Sequence, residues 1–130
     1  MSYQAKLVMC NMLNLLNSKD ETKMNSLKMH YVDSTKKNTD LSTEYNDSMA
    51  AINAQYDYDD PQRERALQEV KDEFEFLKAQ NAAYIDEVET EMNDLKTRID
   101  QRTTYRETLQ EQISQEVEKD HNYGPGRGHK

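Results

Sequence analysis

Asp57, Asp59 and Asp60, followed by Glu64, crowd four carboxylates into one short segment. Carboxylates on alternate positions are what a calcium loop uses as oxygen donors. Here the pattern fails: Pro61 stands where a third ligand would fall, and no turn glycine follows it. These acids are expected to cap a helix and keep a turn soluble. A second cluster, Asp86, Glu87, Glu89, Glu91 and Asp94, winds around a helix instead of lining one side of it. That arrangement leaves Val88 and Met92 free to face inward and reads as a solvated surface, with a basic partner as the alternative use.

Nucleophilic and metal chemistry fare no better. Cys10 is the single cysteine, which excludes an internal disulfide and any CxxC pair. A thiol nucleophile needs a base beside it, and His30, His121 and His129 are far apart in the sequence, with no HExxH among them. The last two are eight residues apart in a glycine-rich tail, without the spacing of a zinc site. No glycine precedes Gly124, so phosphate-cradling loops of the GxxxxGK or GxGxxG kind are absent. The chain is read as non-enzymatic, with no cofactor, no metal and no small-molecule substrate.

The bulk composition says what such a chain is able to build. Of its 130 residues, 32% are charged and 35% hydrophobic, which is too little apolar surface for a thick globular core and enough for a narrow seam between helices. The net charge is −8. Six bases and nine acids precede Pro61, and eleven bases and sixteen acids remain from there on. Neither part is a basic footprint, so nucleic acid is not expected as a partner, nor is an anionic membrane surface. Residues 1–16 form the most apolar stretch, but Asn11 and Asn14 interrupt it. It lacks the basic lead and cleavage site of a signal peptide and falls short of a membrane span. The expected location is cytoplasmic, or exported without a cleavable signal peptide.

Pro61 organises the elements. Inside a helix it would remove a hydrogen bond, and it drives Asp60 out of the helical region, so Asp60 reads as an N-cap with Pro61 at the first helical position. The predicted organisation is a first helix over 1–56, a turn over 57–61, a second helix over 62–120 and a flexible tail over 121–130. Apolar positions keep a 3-4 rhythm through both helices. The first helix carries Cys10, Asn17, Met24, Tyr31, Asn38, Tyr45 and Ile52, interleaved with Leu13, Asp20, Leu27, Ser34, Leu41 and Ser48. The second carries Leu67, Phe74, Asn81, Val88, Leu95, Arg102 and Leu109. Its companion series starts at Val70, Leu77 and Tyr84, then drifts one place to Ile85, Met92, Ile99, Arg106 and Ile113, as a 3.6 period does on a 3.5 template.

A chain reversing near Asp59 makes facing residue numbers sum to about 118 or 119. That register pairs Ile52 with Leu67, Tyr45 with Phe74, Tyr31 with Val88, Met24 with Leu95 and Cys10 with Leu109. It brings Asn38 to Asn81, Asn17 to Arg102 and Leu13 to Tyr105. Apolar residues meet apolar ones and the polar interruptions coincide, as an unpaired buried amide requires. The fold expected is therefore all-α, an antiparallel two-helix coiled-coil hairpin, with Asn38 and Asn81 setting its register. The alternative is one long kinked helix in a parallel homodimer.

The N-terminal stretch is where function is expected. Its apolar residues span most of the helical circumference, and a single partner helix covers one stripe. Leu7, Met12, Leu15 and Leu16 are assigned to a partner interface. The expected function is a structural or assembly subunit, a hairpin that self-associates through this end as a bundle, filament or secretion-apparatus-like subunit. The alternative is an adaptor or export chaperone that holds apolar client segments with its Met-rich end. In either case the partner is another copy or another helical protein.

Overall fold

The computed structural model describes residues 1–123. Within them the chain forms two helices and no strand, α1 over Tyr3–Gln55 and α2 over Pro61–Tyr123. They pack against each other as a helical hairpin. The break at 56–60 rules out the alternative of one long kinked helix. Residues 124–130, most of the expected flexible tail, lie outside the described residues.

Both helix starts are capped by a side chain. Ser2 Oγ accepts from the Ala5 amide at 3.0 Å, and Asp60 Oδ1 accepts from the Gln62 amide at 2.9 Å. Asp60 and Pro61 thus act as N-cap and first helical residue, each satisfying or lacking a donor that the helix leaves orphaned. The connection needs no left-handed residue: no positive φ occurs in the described chain, which suits a turn built without glycine. Arg63 closes it from the side, donating through Nε and Nη2 to Asn53 Oδ1 at 3.1 and 2.7 Å while lying 5.2 Å from the centre of the Tyr58 ring.

The structure divides into two compact units. The turn unit, Ser26–Met92, has an apolar seam. Leu27, Leu41 and Val88 are buried in it, and the rings of Tyr45 and Phe74 stack at 4.4 Å. Asn81 is 4% exposed and donates to the Ser34 carbonyl at 2.8 Å and to Asn38 Oδ1 at 2.6 Å. Tyr45 with Phe74 and Asn38 with Asn81 are both pairs that the turn-derived register names. Tyr84 departs from the expected pattern. It is exposed, and Ile85 takes the inward place. The inward residues of α2 therefore run Leu77, Asn81, Ile85, Val88, a local eleven-residue rhythm that matches a straight helix better than a heptad does. Opposite this shift α1 presents the small polar pair Ser34 and Asn38, and the Asn81 amide fills the offset with hydrogen bonds.

The terminal unit combines 1–25 with the part of α2 from Asn93 onward. Its apolar cluster is small: Cys10, Leu13 and Leu109 are buried, with Met9 and Ile113 packed against them. Leu95, the most enclosed side chain, lies in the same unit with the half-buried Met24 and Ile99, and polar contacts occupy several of the other inward positions. Lys6 Nζ meets Glu116 Oε1 at 2.5 Å, Asn17 Nδ2 donates to Thr103 Oγ1 at 3.2 Å, and Arg106 Nη1 donates to Asn14 Oδ1. Arg102 pairs with Asp20, and Arg98 Nε lies 3.9 Å from the same carboxylate. Two expected pairings change here. Asn17 meets Thr103 instead of Arg102, because the long guanidinium reaches a full turn further to the charge on Asp20. Leu13 joins Leu109 instead of Tyr105, whose ring is exposed.

Candidate functional site

The residues to account for begin with Leu7, Met12, Leu15 and Leu16. All four are exposed: Leu15 at 72%, Met12 at 50%, Leu16 at 42% and Leu7 at 40%. Their placement follows from which residues α1 turns inward. In this stretch Lys6, Cys10, Leu13 and Asn17 are buried. At about 100° per residue, Leu15 and Val8 then stand almost opposite the seam, and Met12 and Leu16 lie beside them. Met9, half-buried, joins this arc to the cluster of Cys10, Leu13 and Leu109.

Leu7 does not belong to that arc. It falls about 140° from Met12 on the wheel, on the flank that carries Asn11, Asn14 and Ser18. Val8 does belong, at 58% exposure, and sequence reasoning left it out of the interface set. Removing the seam positions from the helical wheel and asking what remains opposite them would have found Val8 and set Leu7 aside.

Polarity in the terminal unit is distributed in an unusual way. A buried lysine and a buried asparagine face α2, while Val8, Met12, Leu15 and Leu16 face water. The inward polar groups are mostly paired, yet Asn17 Oδ1 and Arg106 Nε are buried without a partner among the described residues. The charge distribution is equally uneven. All 25 Asp and Glu residues lie from Asp20 onward, so residues 1–19 contain two lysines and no acid. What the face offers chemically is an apolar helical surface free of acidic groups, with Lys19 at its C-terminal edge.

Other parts of the described chain offer less. Cys10 is buried, its thiol 4.0 Å from the Arg106 carbonyl and pointing into the seam. A groove in the turn unit is bordered by His30, Asp33, Lys37 and Tyr84, but the buried groups at its floor, Ser34 and Asn81, are bonded to each other. Among the described residues no group of three His, Cys, Asp or Glu side chains is arranged to hold a metal ion. No described helix is long and apolar enough to cross a membrane. Asn38 and Asn81 are brought together in the seam, and Asp60 and Pro61 at the turn. No protein-family model, curated protein or solved structure matches the chain.

Proposed function

We propose that this protein is a non-enzymatic assembly subunit, a helical hairpin that self-associates through the outward apolar arc of its N-terminal stretch. One observation carries the reading: Val8, Met12, Leu15 and Leu16 are exposed while Lys6 and Asn17 on the same helix are buried. A hairpin that functions alone has the opposite arrangement, with its leucines in the seam and its lysines in solvent. Burying one of these aliphatic side chains against a partner contributes roughly 1.5–3 kcal/mol before the cost of ordering two chains. An arc of four is therefore enough to drive association. Met12 and Met9 are adaptable side chains and also suit the adaptor reading.

The test compares the wild-type chain with the double variant Leu15→Lys, Leu16→Lys. Light scattering over a dilution series measures mass, and circular dichroism on the same samples measures helicity. The wild type is expected to gain mass with concentration. The variant is expected to stay at the mass of one chain with its helicity intact. A wild type that remains a single chain at every concentration refutes self-association and favours the adaptor.

A further inference from the structure

We infer that the occupant of this face is a second copy of the chain laid antiparallel across it, with Val8 of each copy against Met12 of the other. The inference rests on the self-association reading and adds the partner's orientation and register. Residues Met1, Ala5, Val8, Met12 and Leu15 follow one another at intervals of four, three, four and three. That is the rhythm of the inward series Lys6, Cys10, Leu13, Asn17 and Asp20, repeated on the other side of the helix. The first helix thus carries a second stripe able to seat a helix.

Charge chooses the orientation. The stripe contains the heptad series Ala5, Met12, Lys19, Ser26, Asp33, Asp40, Asp47. In a parallel, in-register pair every member meets its own copy, so Lys19 faces Lys19 and three aspartates face three aspartates. Like charges so placed repel. An antiparallel pair whose facing numbers sum to 20 sets residues 1–19 of the two copies against each other, the longest stretch of this −8 chain without an acid. Leu15 meets Ala5 and Val8 meets Met12, and the one basic member of the stripe, Lys19, stands at the rim of the overlap beside the Met1 amino group, where water and salt screen the two cations. The twofold relation makes the patch self-complementary, as the commonest homodimers are. So short an overlap buries less than the roughly 800 Å² per partner of a standard interface, and the dimer is expected to dissociate on dilution.

Two single variants, Val8→Cys and Met12→Cys, each made in a Cys10→Ser background, test the register. Both positions are exposed, so neither change disturbs the seam. The variants are mixed in equal amounts, oxidised gently, and the disulfide-linked peptides identified by mass. The mixed 8–12 product is expected to exceed its random share of half of all crosslinks, outnumbering the 8–8 and 12–12 products together several-fold. A random distribution, or predominance of the 8–8 and 12–12 products, overturns the antiparallel register while leaving self-association standing. A single-chain mass at every concentration, measured on the same unoxidised variants, overturns both.

Discussion

Asn81 is the position whose replacement reads the seam most directly. Its side-chain nitrogen donates to the Ser34 carbonyl and to Asn38 Oδ1, and the residue is almost wholly enclosed. Replacing it with leucine gains roughly 1.5–3 kcal/mol from the buried aliphatic group. Against this stand two lost hydrogen bonds, about 0.5–1.5 kcal/mol each, and a half-buried Asn38 amide left facing a hydrocarbon, at about 1–3 kcal/mol. The terms cancel or favour the wild type, so Asn81→Leu alone is expected not to stabilise the fold. Asn38→Leu alone removes one of the two bonds of the enclosed Asn81 nitrogen, which keeps the Ser34 carbonyl, and is likewise expected not to stabilise the fold.

The double variant removes both amides and restores an apolar pair. It is expected to be more stable than the two single effects predict, by an interaction of about 1–3 kcal/mol. Urea unfolding of the four proteins, followed by circular dichroism at one protein concentration, supplies the cycle. Light scattering alongside it checks the mass, because removing a polar pair from a seam also relaxes what holds its register. Single effects that add to within about 0.5 kcal/mol would refute the reasoning, since contacting residues couple and distant ones do not.

Two further predictions follow from other contacts. Asp60→Ala removes the acceptor of the Gln62 amide and is expected to cost about 1 kcal/mol in urea unfolding, with Asp60→Asn close to wild type. The contact between Lys6 and Glu116 is asymmetric, its side chains 11% and 38% exposed. Lys6→Met, which leaves Glu116 in reach of water, is therefore expected to be neutral or stabilising. Glu116→Ala leaves an ammonium enclosed and is expected to cost about 1–3 kcal/mol, measured by the same unfolding. Equal effects of the two changes would contradict the geometry.

How far the fold could be read in the sequence depended on side-chain length. Tyr45 with Phe74 and Asn38 with Asn81 follow from the turn alone, because short or rigid side chains meet the residue directly opposite. Arg102 escapes that logic. Its stem spans a helical turn, and Asp20 offers a charge where Asn17 offers an amide, so the guanidinium goes to the carboxylate. Tyr84 and Ile85 are adjacent and both plausible on the inward side. What separates them is the four-residue step that the buried Asn81 imposes, and that step depends on the small residues Ser34 and Asn38 across the seam. The outward arc was half legible. Excess apolar surface near Leu15 and Leu16 is visible in composition, but its edges, with Val8 inside and Leu7 outside, require knowing which residues turn inward.

The placement of polarity in the terminal unit is an argument about purpose as well as packing. A rotation of the first helix by about half a turn would bury Val8, Met12 and Leu15 and release Lys6 and Asn17 to water, which local energetics alone would favour. Two features oppose it. The 3-4 series that holds Leu27, Leu41 and Tyr45 inward runs unbroken into Cys10 and Leu13, so rotating one end would require twisting a continuous helix. The polar groups on the inward side are also matched to α2 by charge and hydrogen bonding, as Lys6 is to Glu116 and Asp20 to Arg102. Polar contacts of this kind add little net stability but discriminate strongly against wrong partners and wrong registers. The inward side of the N-terminal stretch is thus specified for α2, and its outward side is left apolar. The turn unit also exposes single apolar residues such as Met29, Val32 and Phe76 and buries Ser34 and Asn81, but the N-terminal stretch gathers Val8, Met12, Leu15 and Leu16 into one arc, and a break of that kind is expected where a surface serves something other than its own fold.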